Sequence, residues 1–141
     1  MSAPAVAVSK DGKTFAAAWM DQRTGKEQRD AYWSVAKGGD FRKEAPLHED
    51  RKGIQDHPSV AFDDEGTAWA AWEDGREGKK RIRVRSSSPD FPEKEISTPE
   101  EGAAGFPVLA CGGGLVAVVY EANKDGETSA VFRIVQDRAG R

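Results

Sequence analysis

Charged side chains that directly follow apolar runs are the residues of this chain best placed to do chemistry. Asp21 and Arg23 follow one such run, Asp74 and Arg76 follow a second, and Ala122 stands at the corresponding place after a third. Arginine forks match carboxylate geometry, so such groups around an opening could bind a small anion or a sugar. The repetition of the Asp-x-Arg motif favours the alternative, a scaffold role in which Asp accepts turn N–H bonds and Arg bridges to the next repeat.

Other polar residues join the same opening if the apolar runs are strands that end at one edge. Arg51 and His57 lie between two repeats, and Glu121 follows the third run. We expect a carbohydrate or a small anionic ligand to bind there. The candidate ligand-binding residues are Asp21, Arg23, Arg51, His57, Asp74, Arg76 and Glu121.

The sequence gives little support for catalysis or for a bound metal. Glycoside hydrolysis needs two carboxyl groups or, in sialidases, a tyrosine nucleophile. Tyr120 precedes Glu121, but the other two runs have tryptophan where Tyr120 stands, which favours packing. His48 and His57 have no partner at a zinc-ligand spacing. We therefore predict no catalytic residue, no metal and no cofactor.

Composition indicates a single soluble domain without nucleic-acid or membrane partners. The 141 residues include 21 Lys and Arg against 24 Asp and Glu, a net charge of -3, with mean hydropathy -0.68. A nucleic-acid binder would carry a basic excess. No apolar run approaches the roughly 20 residues of a membrane helix, and we expect no signal peptide at the N-terminus. The lone Cys111 excludes an internal disulfide, and cellular location stays open.

The chain repeats itself three times at intervals of about 50 residues. Alternating apolar runs begin at Pro4, Pro58 and Pro107, and each leads to a glycine-containing turn and then to a second run that ends in an aromatic residue. A third run and a weaker fourth run follow. Four short strands per period are typical of a β-propeller blade. The runs are rich in alanine, which would suit helices, but they are shorter than a helix of about 11 residues.

The predicted fold is all-β, a β-propeller segment of three four-stranded blades. The blades are predicted at residues 4–53, 54–102 and 103–141, and the last lacks its outer strand because the chain stops at Arg141.

The order Pro-x-Val-Ala, Asp-Gly and Ala-x-Trp-x-Asp-x-Arg resembles the sialidase-like superfamily of β-propellers. Residues 34–41 are similar to its Asp-box hairpin, although Ala36 stands where the Asp belongs, and Ser86–Phe91 is further from the pattern. The resemblance implies a six-bladed ring of which this chain is half, and an Asp-box remote from the catalytic face. The Arg-Ile-Pro signature of sialidases is missing, since no proline follows Arg81-Ile82 or Arg133-Ile134.

Half a ring would leave two apolar blade faces uncovered, which monomers rarely tolerate. We therefore predict a homo-oligomer, most simply a twofold dimer that closes one ring. The leading function is a non-catalytic, self-associating propeller module that serves as a scaffold or binds a small ligand. Two alternatives stay open: a fragment or half-subunit of a sialidase-like glycoside hydrolase, and an engineered or reconstructed part-propeller for studying blade assembly.

Overall fold

The computed structural model describes residues 2–25, 27–38, 40–41, 43–138 and 140, and arranges them in three antiparallel sheets. Each sheet is a meander in chain order, so hairpins connect neighbouring strands. In the first sheet the outer edge is divided between two short strands that both pair with the third strand. Its strands are β1 (Ala5–Val8), β2 (Thr14–Asp21), β3 (Asp30–Lys37), β4 (Asp40–Phe41) and β5 (Ala45–Pro46).

The second sheet has four strands and the third has three. The second comprises β6 (Gln55–Phe62), β7 (Ala68–Asp74), β8 (Arg81–Ser86) and β9 (Lys94–Glu95). The third comprises β10 (Ala103–Gly112), β11 (Leu115–Lys124) and β12 (Glu127–Asp137). The prediction of an all-β partial propeller with an incomplete last blade is confirmed. The described residues contain no α-helix, only one 3₁₀ turn at Pro99–Glu101.

The alanine-rich runs are strands because small side chains let neighbouring sheets pack closely. Ala16 and Ala18 of β2 are completely buried, as are Ala68 and Ala70 of β7, and all four belong to the core between the first and second sheets. Trp72 and Trp33 fill the remaining space in this core.

A second core joins the second and third sheets, so β7 is the central strand of the molecule. Trp69 points into this core while Trp72 points into the other, because strand side chains alternate between faces. Val118 and Tyr120 of β11 cover the other side of the second core. All seven residues of β7 are buried, which makes its carboxyl end a rigid support for the polar residues that follow Trp72.

Glycines allow the connections between sheets to contact hairpins of the following sheet, namely the β7–β8 hairpin and the β11–β12 hairpin. Gly53 has a φ of 71°, and a Cβ there would come 2.5 Å from the carbonyl oxygen of Gly75. Gly102 has a φ of 83°, and a Cβ there would overlap the carbonyl oxygen of Asn123. The two positions are equivalent, so each inter-sheet connection reaches the same edge of the molecule as the hairpin turn of the following sheet.

The two outer sheets carry exposed apolar side chains on the faces that have no neighbour. Val6 and Val8 of β1 are 72% and 52% exposed on the first sheet. On the third sheet the exposed side chains are those of Val108, Val119, Phe132 and Ile134.

The segment that resembles an Asp-box forms a short hairpin. Ala36 pairs with Phe41 and Lys37 pairs with Asp40, while Gly39 lies outside the described residues. None of the described residues builds a helix with the length and hydrophobicity that crossing a membrane requires.

Candidate functional site

Bulges in β6 and β10 place two aromatic rings next to each other at one edge of the second and third sheets. The register of β6 shifts between Asp56 and Ser59, and that of β10 shifts between Gly105 and Val108. Each bulge contains a residue that precedes a proline, His57 or Phe106, at a positive φ of 47° or 54°. The following proline disfavours the right-handed helical region, and a bulge turns the side chain away from the ladder.

The rings of His57 and Phe106 are in contact as a result. Their centroids lie 4.5 Å apart with an interplanar angle of 56°. Phe106 is 54% exposed although its backbone is held at a positive φ.

Glu73, the residue before the end of β7, connects both bulges. Its side chain is 1% exposed, and its Oε2 accepts the backbone N–H of Phe106 at 2.9 Å. The same oxygen lies 2.6 Å from Nδ1 of His57, and Oε1 accepts a hydrogen bond from Nζ of Lys80 at 2.6 Å. A buried carboxylate needs such charged and polar neighbours, so Glu73 holds the two bulges and the lysine in one arrangement.

A cavity of about 250 Å³ adjoins this carboxylate at the edge where the second and third sheets meet, and most of its lining belongs to the third sheet. Glu121 lies on it, at the strand position equivalent to Glu73, since Gly105 pairs with Glu121 as Asp56 pairs with Glu73. The cavity thus combines two carboxylates, one ammonium group, one aromatic ring and small polar groups. The lining residues are Glu73, Lys80, Ala103, Ala104, Gly105, Phe106, Glu121, Asn123 and Thr128.

A second carboxylate, Asp56, is buried at the start of β6. Its Oδ1 accepts the backbone N–H of His57 at 2.8 Å, and its Oδ2 lies 3.5 Å from Nε of Arg29. Burial alone would raise the pKa of Asp56, but hydrogen bonding and the nearby cations outweigh it and lower the pKa below its usual value. Asp56 therefore stays ionised and contributes fixed negative charge beside the aromatic pair.

The Asp-x-Arg motif of the second sheet, Asp74 and Arg76, is largely buried and bonded to neighbouring protein groups. Asp74 accepts hydrogen bonds from the indole Nε1 of Trp72 at 3.0 Å and from Nε and Nη2 of Arg76 at 2.8 and 2.7 Å. Arg76 also contacts Glu93 at 2.5 Å. Burial alone would raise the pKa of Asp74, but the hydrogen bonds from Arg76 and Trp72 have the larger effect, so the pKa lies below its usual value.

The motif of the first sheet repeats these contacts nearer to solvent. Asp21 accepts hydrogen bonds from Trp19 at 3.4 Å and from Nε and Nη2 of Arg23 at 2.9 and 2.6 Å, and Arg23 reaches Glu44 at 3.0 Å. The Arg23 side chain lowers the pKa of Asp21 to about 2. In both sheets the charged groups of the motif bind one another.

The seven residues predicted to bind ligand have different local partners in the structure. His57 lies beside the cavity and Glu121 lines it, while Asp21, Arg23, Asp74 and Arg76 belong to the two internal clusters. Nη2 of Arg51 donates to the hydroxyl of Tyr32 at 3.2 Å on the first sheet. The seven residues come from all three sheets and the connection between the first two, and Glu121 lines the cavity.

Tyr120 is placed in the core, and Glu121 on the other face of β11. Tyr120 is 1% exposed and its hydroxyl donates to Oε2 of Glu101 at 2.7 Å. Burial raises the pKa of this tyrosine. Adjacent strand residues point to opposite faces, so the two side chains cannot act as a nucleophile and its base.

The other histidine, His48, is completely buried. Its Nδ1 donates to the carbonyl oxygen of Asp50 at 2.9 Å, and its Nε2 lies 3.6 Å from Oδ1 of Asp30. Burial lowers the pKa of His48, so the ring is neutral at pH 7. Within the part of the chain that the structure describes, no three His, Cys, Asp or Glu side chains are grouped as a metal site would require.

The sequence analysis singled out neither Phe106 nor Glu73. The available signal was the recurrence of an aromatic or imidazole ring directly before the proline of consecutive repeats, His57-Pro58 and Phe106-Pro107. The contact between the rings depends on how the sheets pack, which no local pattern reports.

Comparison with known proteins identifies the fold but no family. No protein-family model matches the chain, and no curated protein matches it. Among solved structures, an endo-1,4-β-xylanase from Bacteroides thetaiotaomicron aligns with 96% of this chain and 53% of its own length, at a TM-score of 0.55 and 19% identity. A thermostable family-43 glycoside hydrolase aligns with 98% and 51%, at 0.62 and 19%. An endo-arabinase from Bacteroides thetaiotaomicron aligns with 98% and 57%, at 0.55 and 13%.

The chain therefore spans about half the length of these structural neighbours. Proteins close to twice this length have room for about five repeats of about 50 residues. The six-bladed ring implied by the sialidase-like resemblance is not confirmed, and that resemblance stays a prediction. At these identities the similarity establishes the fold alone, a partial β-propeller similar to the propellers of these glycoside hydrolases.

Proposed function

We propose that the cavity beside Glu73 and Glu121 binds carbohydrate, and that the chain supplies this part of a glycoside hydrolase-type propeller. The observation that carries the proposal is the placement of Glu73 and Glu121 at equivalent strand positions beside one cavity, together with Lys80 and Phe106. A concave site with an apolar ring and a few convergent polar groups suits a small polyhydroxylated ligand.

The two carboxylates would have different tasks. Glu73 is buried and already has nitrogen neighbours from Lys80, His57 and the backbone of Phe106, so it holds these groups in place. Glu121 is exposed on the cavity and can meet a sugar hydroxyl or a glycosidic oxygen directly. Glycoside hydrolases use a pair of carboxyl groups on either side of the scissile bond.

The structural neighbours suggest which saccharides to test first. They are named as an endo-1,4-β-xylanase and an endo-arabinase, so xylotetraose and arabinotetraose are suitable probes. A fluorogenic sialoside provides the third arm, which addresses the sialidase-like resemblance.

The deciding experiment is calorimetric titration of these probes into the whole chain, with parallel measurement of sugar release. We expect binding of at least one tetrasaccharide and a loss of at least about tenfold in affinity in Glu121→Gln. Glu95→Gln is the matched control, since Glu95 is an exposed residue of the short outer strand β9. Absence of saccharide binding by the unsubstituted chain, or equal affinity in Glu121→Gln, would refute the proposal.

A second candidate function, self-association, is favoured by the uncovered outer sheets. Val6 and Val8 on one end and Phe132 and Ile134 on the other are all more than half exposed. Each buried Å² of apolar surface stabilises by about 25 cal/mol, so covering both faces would favour a dimer in which each end meets the other copy's opposite end. Two three-bladed copies make six blades, whereas the structural neighbours have room for about five. The alternative to a second copy is therefore that two further blades cover the exposed outer faces.

The mass of the chain in solution distinguishes dimerisation from coverage by further blades. Light scattering of the purified chain should give a discrete dimer, and Phe132→Lys together with Ile134→Lys should convert it to a monomer. A monomer before substitution would exclude self-closure.

A further inference from the structure

We propose that the rings of His57 and Phe106 form a stacking platform for the face of a sugar ring at the rim of the cavity. The proposal deepens the carbohydrate-binding function and rests on it. It assigns the platform to two residues from consecutive sheets and gives Glu73 the task of positioning them.

The first support is the backbone. His57 and Phe106 are two of the three non-glycine residues with positive φ among those described, and both precede a proline in a bulged inner strand. Strained backbone of this kind persists where the surrounding structure enforces it, commonly at ligand clamps. Here the strain brings the same two ring-bearing positions together in consecutive sheets.

The second support is exposure. A phenylalanine that served only the core would be covered, yet Phe106 is 54% exposed and its ring contacts that of His57 at 4.5 Å. The pair offers an apolar surface bordered by polar groups, which matches a sugar that has C–H groups on one face and hydroxyls around its edge.

The third support is the clamp beneath the rings. Oε2 of Glu73 accepts the N–H of Phe106 and contacts Nδ1 of His57, so one buried carboxylate fixes the backbone of one ring and the side chain of the other. A Cβ at Gly105 would approach this oxygen to 3.2 Å, and glycine there leaves room for the carboxylate.

The polar partners for a stacked sugar lie on the same cavity. Lys80, Glu121, Asn123 and Thr128 line it, and Nδ2 of Asn123 donates to the hydroxyl oxygen of Thr128 at 3.0 Å. Sugar hydroxyls can both donate to the carboxylate and accept from the ammonium and amide groups. A purely apolar ligand would displace water from Glu121 and from the remaining hydrogen-bonding positions of these groups without replacing it, so the cavity favours a saccharide.

The test measures xylotetraose and arabinotetraose affinity in the whole chain with Phe106→Leu, which keeps an apolar side chain but removes the aromatic face. Phe41→Leu is the matched control, because Phe41 is 59% exposed on β4 of the first sheet. We expect at least about a tenfold loss in Phe106→Leu and no change in Phe41→Leu.

The positioning role of Glu73 has its own readout. In Glu73→Gln, nuclear Overhauser contacts between the rings of His57 and Phe106 should weaken along with affinity, whereas Phe41→Leu should leave both unchanged. Retained ring contacts together with lost affinity would remove Glu73 from this role.

Failure of the platform and failure of the proposed function give different results. If the unsubstituted chain binds a tetrasaccharide and Phe106→Leu binds it equally well, the platform is refuted while the carbohydrate site stands. If the unsubstituted chain binds neither tetrasaccharide, the carbohydrate site is refuted and the platform with it.

Discussion

The indole nitrogen of Trp72 donates to Oδ2 of Asp74 at 3.0 Å, and Trp19 and Asp21 repeat this contact at 3.4 Å one sheet earlier. The five-residue motif Trp-x-Asp-x-Arg therefore occurs twice, once near the surface and once buried. The side chain of Asp74 is 1% exposed and that of Asp21 is 16% exposed, while their arginine partners differ more, at 12% and 47%. One motif in two environments allows the value of burial to be measured with matched substitutions.

Asp74→Asn should destabilise the fold much more than Asp21→Asn. Removing the buried charge leaves Arg76 without its main partner in a mostly desolvated place, which costs about 3 kcal/mol. The exposed pair contributes only about 1 kcal/mol or less, since water screens Arg23. Urea unfolding followed by tryptophan fluorescence measures both, and equal losses would show that the burial difference has no energetic effect.

Acid should remove the stabilising contribution of Asp74. Its pKa in the folded chain lies below the ordinary value of 3.8, so its stabilisation is complete above that value and disappears as pH falls through the folded-state pKa. The difference in unfolding midpoint between the parent chain and Asp74→Asn should therefore be constant from pH 7 to about pH 5 and shrink towards pH 3. A difference that is unchanged at pH 3 would contradict the assigned shift.

The strands and the Trp-x-Asp-x-Arg clusters could be predicted from sequence because both depend on local order. Repeated prolines, turns and aromatic ends fixed the sheets, and the regular recurrence of Asp21 and Asp74 favoured a scaffold role. Glu73 and Phe106 could not be assigned in the same way. Their contact arises from two bulges in different sheets, and its geometry is set by packing between β7 and β10 rather than by either segment.

Gly53→Ala should be more destabilising than Gly66→Ala, although both glycines have positive φ. Gly53 and Gly66 have φ values of 71° and 81°, so alanine meets a similar backbone penalty of about 1 kcal/mol at each. Only at Gly53 would the new Cβ also meet backbone, 2.5 Å from the oxygen of Gly75, whereas nothing lies within 4 Å at Gly66.

Differential scanning calorimetry should therefore give a lower Tm for Gly53→Ala than for Gly66→Ala. Similar Tm values would mean that the connection between the first two sheets can move away from the Gly75 turn without loss.

The thiol of Cys111 should react slowly at neutral pH even though it is only partly covered. Burial, with smaller contributions from the carboxylates of Asp63 and Asp64, raises its pKa to about 12 from a reference of 9.0. Only the thiolate is a nucleophile, so alkylation by iodoacetamide at pH 8 should be at least about tenfold slower in the folded chain than in urea. Because Cys111 is the single cysteine, the unfolded chain is its own control. The rate for the folded chain should still be rising above pH 9, and a plateau there would show that the thiolate forms without the penalty that β10 imposes.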